Sequence, residues 1–346
     1  MFKRIISVSL MAMLVLVMGT SIATAQDDSI LARIQDRGEL ICGVNATLAG
    51  FGTQNDAGEF EGFDIDFCKA VAAAILGDAE AVTYRPLDAA QRPTALASGE
   101  VDMISRNTTW TLSRDTEWGA TFAPTTFYDG QGIMVKVEFG VTTIEELGEE
   151  SITVCTNAGT TTELNVTDLA NTLGADWELN TFQDFDAVMD AYEADACDAV
   201  TTDMSGLLSR KATAADPAAH YILPGTISKE PLGPLSPQSD PQFADVIRWT
   251  IWGMITAEEI GITSENIGDY MDSEDSNVQR LLGLGDSISG EYLGINDEFM
   301  VDVITQVGNY GEVFDRNLGP DTIFGLSRGL NALWTDGGLL YAPPFR

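Results

Sequence analysis

Short apolar runs alternate with helical stretches along this chain, and they do so in two separate series. The first series predicts strands at residues 40–44 and 101–105, with helices at 66–75 and 89–98 between them. This alternation is typical of α/β units whose strands are mainly parallel. It constrains the chain to an α/β fold with helices packed on central sheets.

The second series repeats the same plan: strands are predicted at residues 152–155 and 199–202, and helices at 162–173 and 184–193. Each series opens on a strand that carries a cysteine, Cys42 or Cys155, which suggests two similar lobes. The Pro- and Gly-rich segment 230–234 and the segment 127–130 are each interpreted as a crossing strand or linker. Two crossings mean that the chain leaves the first lobe and returns to it.

The resulting domain prediction assigns residues 27–128 plus 232–346 to lobe 1 and residues 129–231 to lobe 2. At this length two domains are more common than one. The part of the chain from residue 260 onward is predicted to be a helical extension packed on lobe 1. A helix with one apolar side is predicted at residues 329–334.

The N-terminus predicts a signal peptide over residues 1–25, cleaved near Ala25. Lys3 and Arg4 precede an apolar stretch at 5–18, which is too short for a comfortable membrane span. The first cysteine is Cys42, so no lipid attachment site follows the cleavage site. We therefore expect an exported protein that diffuses freely in the periplasm.

The charge balance excludes several classes of function. Lys and Arg total 18 against 53 Asp and Glu, a net charge of −35, which disfavours nucleic acid and anionic membranes as partners. The acidic residues are dispersed, as on a solvated surface.

His220 is the single histidine, so a histidine metal cluster is excluded, and no HExxH or phosphate-binding glycine loop is present. We expect no catalytic residue, metal or cofactor, and therefore no enzyme.

Several motifs carry a family resemblance because they occur in a specific order. They are Gly62-Phe63-Asp64-Ile65-Asp66, Thr109-Trp110-Thr111 with Arg114, Gly159-Thr160-Thr161, and Asp203, together with segments 105–111, 155–164, 227–234, 308–312 and 329–334. In these residues the chain resembles the amino-acid solute-binding proteins of ABC transporters, and within them the general L-amino-acid-binding proteins. The resemblance covers essentially all of the chain after residue 25.

The resemblance implies an α/β, two-lobed periplasmic-binding-protein fold of type II, with two hinge strands and a helical C-terminal extension. It also implies a monomer that captures free L-amino acids with broad specificity and delivers them to an inner-membrane ABC permease. Two other functions stay open: an amino-acid sensor that engages a chemoreceptor, and a dehydratase built on the same fold.

Two charged residues match the two ends of an amino acid. A ligand's carboxylate and ammonium both need a partner when they leave water. Arg114 offers a guanidinium fork for the carboxylate, and Asp203, at the end of an apolar strand, offers a carboxylate for the ammonium. The alternatives are a surface pairing of Arg114 with Asp115 or Glu117, and an Asp203 that caps the next helix.

Three further polar residues complete the predicted ligand set. Asn107 is expected to present a backbone carbonyl to the ammonium, and Thr109 to give hydroxyl and backbone donors. Thr161 lies between a predicted strand and helix, where free N–H groups hold anions. The alternative for each is an ordinary polar loop that caps a helix.

Five more residues are candidates for the pocket wall: Phe51, Asp64, Trp110, Tyr128 and Thr162. Core or hinge packing is the alternative for the aromatic residues, and capping of the following helix for Asp64. Polar-amino-acid binders in the family place aromatic residues near the positions of Leu48 and Ala89, which are not aromatic here. The resemblance thus implies a roomier pocket.

The four cysteines predict two disulfides in an exported chain, with three connectivities allowed and four buried thiols as the alternative. If the two lobes move against each other, pairing must stay inside each lobe. We therefore expect Cys42–Cys68 and Cys155–Cys197.

Overall fold

The structure, a computed structural model, describes residues 29–346, so the predicted signal peptide lies outside the described residues. The strands, in chain order, are β1 Leu40–Val44, β2 Thr47–Leu48, β3 Gly52–Gln54, β4 Phe60–Glu61, β5 Val82–Pro86, β6 Met103–Ile104, β7 Ala120–Phe122, β8 Phe127–Asp129, β9 Gln131–Lys136, β10 Ile152–Asn157, β11 Trp177–Phe182, β12 Ala199–Asp203, β13 His220–Ile222, β14 Glu230–Leu232 and β15 Leu235–Pro237. The α-helices are α1 Ile30–Arg37, α2 Phe63–Leu76, α3 Arg92–Ser98, α4 Leu112–Glu117, α5 Ile144–Leu147, α6 Thr161–Leu173, α7 Phe185–Glu193, α8 Met204–Thr213, α9 Pro241–Glu259, α10 Ser276–Leu282, α11 Ser289–Leu293, α12 Phe299–Gln306 and α13 Tyr310–Asn317.

Two five-stranded sheets follow the same plan. The first has the order β5-β1-β6-β15-β7 and the second β11-β10-β12-β9-β13. In each, a central strand pairs in parallel with two neighbours, β1 with β5 and β6, and β10 with β11 and β12. The other pairings are antiparallel. The sheets are thus mixed, whereas the sequence predicted mainly parallel strands.

The central strands are apolar because both faces of each sheet are covered. On β1, Cys42 and Val44 are fully buried, and α2, whose alanines are buried, packs beside this strand. Gly77 then ends α2 in the left-handed conformation at φ 72°, which glycine adopts without a Cβ clash. Parallel strands place their carboxyl ends on one edge of the sheet, and ligands of open α/β sheets bind at that edge.

Two crossing strands connect the sheets. Strands β8 and β14 form a separate antiparallel ribbon in which Asp129 lies opposite Glu230. The chain passes from β7 in the first sheet through β8 to the second sheet, and returns through β14 to β15. Such a double crossing is the arrangement of a hinge between lobes.

The C-terminal helices pack on the first sheet's core instead of forming a core of their own. Helices α12 and α13 contact both α2 and α9, and Phe299 and Phe314 belong to one buried cluster with Phe63 and Phe67. The helix predicted at residues 329–334 was wrong: two short 3-10 turns occupy Gly329–Asn331 and Trp334–Asp336. Trp334 is half-exposed there and packs edge-on against Tyr341.

The four cysteines are paired within each half of the fold. Cys42 on β1 is joined to Cys68 on α2, with 6.2 Å between their Cα atoms. Cys155 on β10 is joined to Cys197, just before β12, with 5.9 Å between Cα atoms. Neither bond links the two sheets. No helix within residues 29–346 has the length and apolar character needed to cross a membrane.

Candidate ligand-binding site

A cleft lies between the two sheets, where the carboxyl ends of the parallel strands meet. Residues at or just beyond the carboxyl ends of β1, β6, β10 and β12 reach it, as is usual for ligand sites of open α/β sheets. It is lined by Asn45, Leu48, Arg92, Arg106, Asn107, Thr109, Arg114, Asn157, Thr160, Thr161, Thr162, Phe185, Thr202, Asp203, Gly206 and Arg210. All five residues of the predicted ligand set line this one cleft.

Arg114 is presented by the first turn of α4, whose N-cap Thr111 accepts the N–H of Arg114. The guanidinium is buried, and its Nη1 donates to the backbone oxygen of Thr109 at 3.0 Å. Trp118 lies 5.2 Å from it, a cation–π distance. Burial lowers the pKa of Arg114, while Asp203 and Glu230 act to raise it. The surface pairing with Asp115 or Glu117 is not formed.

Thr161 is the first residue of α6, which follows β10 through a turn with Gly159 at φ 72°. Thr160 caps the helix by accepting the N–H of Glu163, and Glu163 accepts the N–H of Gly159 in return. The N–H groups of Thr161 and Thr162 keep no acceptor within the described residues. A helix start with free N–H groups attracts a carboxylate oxygen.

Asp203 ends β12 at the position where a capping side chain would stand, yet its side chain caps nothing. Its Oδ2 instead accepts a hydrogen bond from Asn107 Nδ2 at 3.1 Å, across the cleft. Burial raises the pKa of Asp203 to about 8, with further upward contributions from Asp129 and Glu230. A lone negative charge is unfavourable at this buried position, so a cationic group beside Asp203 would stabilise its ionised form.

The two sides of the cleft touch in this structure. Thr109 and Thr161 place their hydroxyl oxygens 3.3 Å apart, and Ser209 on α8 donates to the backbone oxygen of Ala49 at 2.8 Å. Thr161 also donates to Glu230 on β14 at 3.0 Å, which connects the cleft to the crossing strands. The described geometry is therefore that of a closed cleft.

Of the five wall candidates, only Thr162 lines the cleft. Phe51 is fully buried in the core, where its ring packs edge-on against that of Phe127 with 5.3 Å between the ring centres. Trp110 stacks on Phe122 on the outer side and is 42% exposed.

Asp64 and Tyr128 are also outside the cleft. The carboxylate of Asp64 accepts the backbone N–H of Asn107 at 2.8 Å, so it supports the cleft from behind. It does not cap α2, whose N-cap is Gly62. Tyr128 lies on β8, where its N–H and C=O both bond the side chain of Asn331.

Sequence reasoning missed three arginines that line the cleft: Arg92, Arg106 and Arg210. Arg92 and Arg106 are buried, although arginine is normally a surface residue. The only signal in the sequence was that Arg106 directly precedes Asn107 in a segment that also carries the family resemblance. Arg210 on α8 is paired with Asp186 on α7 and donates to Thr47 at 3.4 Å, across the cleft.

The single histidine lies away from the cleft. His220 begins β13, and its Nδ1 is 3.4 Å from the hydroxyl of Tyr192, which places it in the second sheet's own packing. Among residues 29–346, no group of histidines, cysteines and carboxylates is arranged to hold a metal ion.

Comparisons with known proteins agree with this geometry. The sequence profile of the bacterial extracellular solute-binding proteins, family 3, matches residues 40–151. A general L-amino acid-binding periplasmic protein of Rhizobium johnstonii is 46% identical over 96% of each chain. A glutamate/glutamine/aspartate/asparagine-binding protein of Rhodobacter capsulatus is 45% identical over 97% of each chain.

A solved structure is also similar over most of its length. It is an ABC transporter periplasmic binding protein from Brucella ovis with glutathione bound, 44% identical, with a TM-score of 0.89 over 92% of this chain and 99% of that chain. The predicted fold, a two-lobed periplasmic-binding-protein fold with α/β sheets, is confirmed by this similarity.

Proposed function

Because this chain belongs to the bacterial extracellular solute-binding proteins of family 3, we propose that it captures free L-amino acids in the periplasm. It would deliver them, as a monomer, to the inner-membrane permease of an ABC transporter. The observation that carries the proposal is the placement of Arg114 and Asp203 in one buried cleft, with 6% and 5% of their surfaces exposed. A ligand with one carboxylate and one ammonium gives each of them a partner.

The lobe boundaries fit this function. Residues 27–128 plus 232–346 would form lobe 1 and residues 129–231 lobe 2, with β8 and β14 as the hinge. Arg114 and Asp203 come from opposite sides of that hinge. Each gains its charged partner only when the lobes meet, so the ligand drives closure through its higher affinity for the closed state.

A thermal-shift screen against the standard L-amino acids tests the proposal. A ligand at one hundred times its dissociation constant stabilises the folded protein by about 2.7 kcal/mol. We expect one or more L-amino acids to raise the melting temperature, and their D-enantiomers to raise it less. If none of the L-amino acids shifts the melting temperature, the proposed function is wrong.

Amino-acid binding should weaken as the pH falls from 8 to 6. In the closed geometry of the cleft, burial raises the pKa of Asp203 to about 8, which keeps this carboxyl largely protonated below pH 8 until a cationic group pairs with it. The ligand's ammonium needs the ionised form, so binding must release a proton, and affinity rises with pH up to this pKa. Linkage predicts roughly ten- to fifty-fold weaker binding at pH 6 than at pH 8.

Calorimetry at pH 6, 7 and 8 checks this expectation, because a released proton makes the measured heat depend on the ionisation enthalpy of the buffer. The Asp203→Asn variant is the control and should show a flatter profile. Equal affinity across the range, or proton uptake on binding, would contradict the role given to Asp203.

A further inference from the structure

The two hinge strands place two carboxyl groups opposite each other. Asp129 on β8 and Glu230 on β14 are directly paired in the antiparallel ribbon. Neither has a lysine or arginine nitrogen within 4.0 Å in the described part of the chain. Like charges at facing positions of a ribbon destabilise it. The pair therefore points to a role beyond connecting the two sheets.

Glu230 is bound to the start of α6. Its Oε2 accepts the hydroxyl of Thr161 at 3.0 Å, and its Oε1 accepts the side-chain amide of Asn165 at 2.9 Å. The hydroxyl of Ser228, just before β14, also donates to Oε1. Glu230 is only 1% exposed, so these donors take the place of water around its carboxylate. The hinge strand thereby fixes the part of α6 that presents Thr161 to the cleft.

Asp129 is bound to the start of α8. Its Oδ2 accepts both the backbone N–H of Ser205, at 3.3 Å, and the hydroxyl of the same residue. The backbone oxygen of Gly130 accepts the N–H of Met204 at 2.7 Å. The side chain of Asp203, directly before α8, does not cap the helix. The hinge strand supplies the cap instead, which leaves Asp203 free to face the cleft.

The hinge strand β14 is also bound to the ligand-binding segment on the other side of the cleft. The backbone N–H of Trp110 donates to the backbone oxygen of Pro231 at 2.8 Å. Thr109, the residue before Trp110, touches Thr161 across the cleft at 3.3 Å. Because the hydroxyl hydrogen of Thr161 is directed at Glu230, the Thr161 oxygen is left to accept the hydroxyl of Thr109. Two successive hydrogen bonds therefore join both sides of the closed cleft to the hinge.

We propose that Asp129 and Glu230 are positioning residues for ligand capture, because they fix to the hinge strands the two helix starts that carry Asp203 and Thr161. Bending of the hinge and placement of the ligand-binding residues are then coupled, and the coupling sets how fast the closed cleft opens. Neither carboxylate lines the cleft, so both act through the residues that they hold. This inference rests on the proposed function and concerns the regulation of the same site.

The hinge carboxylates also act on Asp203 through their charge. The charged groups around Asp203 are two carboxylates and three guanidiniums, those of Asp129, Glu230, Arg92, Arg106 and Arg114. Beyond the effect of burial, the two carboxylates raise the pKa of Asp203. Asp129 is half-buried as a residue, but its carboxyl group is enclosed, and that burial raises its own pKa to about 6. Removing one hinge charge should therefore lower the pKa of Asp203 and make ligand binding less dependent on pH.

Stopped-flow and calorimetric titration of Glu230→Gln and Asp129→Asn test the inference, with L-glutamine as the probe. The L-amino acid that gives the largest thermal shift takes its place if glutamine gives none. At pH 8 we expect each variant to bind about tenfold more weakly, with most of the loss in a faster dissociation rate. Asp168→Asn on α6 and Glu178→Gln on β11 remove the same charge from exposed positions and should behave as the wild type does.

Two further readouts distinguish positioning from a merely structural role. The ratio of the affinities at pH 8 and pH 6 should be about threefold smaller in both hinge variants than in the wild type, because Asp203 then ionises more easily. A variant that only loosens the packing would lose the same factor at both pH values. Thr161→Val combined with Glu230→Gln should lose little more than the larger of the two single losses, since both changes break one hydrogen bond.

The outcomes separate the two proposals. Wild-type dissociation rates in the folded hinge variants, or an unchanged ratio between pH 8 and pH 6, would overturn the positioning role and leave the proposed function intact. If a carboxylate variant fails to fold, Ser205→Ala and Asn165→Ala each remove one donor from a hinge carboxylate and should also speed dissociation. Unchanged rates in these two variants would overturn the positioning role as well. Failure of the wild type to bind any amino acid overturns the proposed function itself.

Discussion

Replacing Arg114 with alanine should weaken amino-acid binding by two to four decades. The ligand's carboxylate would enter a closed cleft without its charged partner, and breaking a buried pair costs about 3 to 5 kcal/mol. The helix start at Thr161 would still offer N–H groups, but these are partial charges and do not replace a guanidinium. Calorimetric titration of the variant measures the loss.

Two further variants make the Arg114 result specific. Arg114→Lys should also weaken binding, because an ammonium cannot reproduce the two parallel hydrogen bonds of the guanidinium. Arg280→Ala on α10, outside the cleft, is the matched control and should bind as the wild type does. Wild-type affinity in a folded Arg114→Ala protein would remove Arg114 from the site.

Asp203→Asn should cost about two decades in affinity at pH 7, and the loss should be larger at pH 8 than at pH 6. The substitution keeps the shape and the contact with Asn107 but removes the charge that pairs with the ligand's ammonium. The pH dependence follows from the raised pKa of Asp203, because the wild type itself loses the ionised form as the pH falls.

A 2-oxo acid with the same side chain is the ligand control for Asp203, since it lacks the ammonium. The variant should lose far less affinity for the 2-oxo acid than for the amino acid. Asp190→Asn on α7, exposed on the same lobe, controls for the change in net charge and should have no effect on either ligand. Equal losses for the two ligands would contradict an ammonium site at Asp203.

The sequence predicted much of the fold because local patterns decide it. Strand β1 has the bounds that were predicted, and α6 begins one residue earlier than expected. The antiparallel direction of β9 and β15 was harder to predict, since it follows from the two chain crossings and not from any local pattern. The helix predicted at residues 329–334 failed because half-exposed Leu330 and Trp334 have no core to face.

That the five residues of the predicted ligand set lie in one cleft was predictable, because the motifs and the family resemblance placed them after strands or at the start of a helix. The presence of Arg92 and Arg106 in the cleft was not predictable, because an arginine in a sequence is expected at the surface. Their burial depends on how β6 and the turn before α3 meet in three dimensions. The same holds for Phe51 and Trp110, whose aromatic character fits a pocket as well as a core.

The central claim is that this cleft holds an L-amino acid by its two charged ends and releases it unchanged. The most direct test is calorimetric titration of ligand-free wild-type protein with the L-amino acid that stabilises it most, followed by mass spectrometry of the recovered ligand. We expect saturable binding of one molecule per chain and full recovery of the unaltered amino acid. Absence of binding, or conversion of the ligand that increases with time, would contradict it.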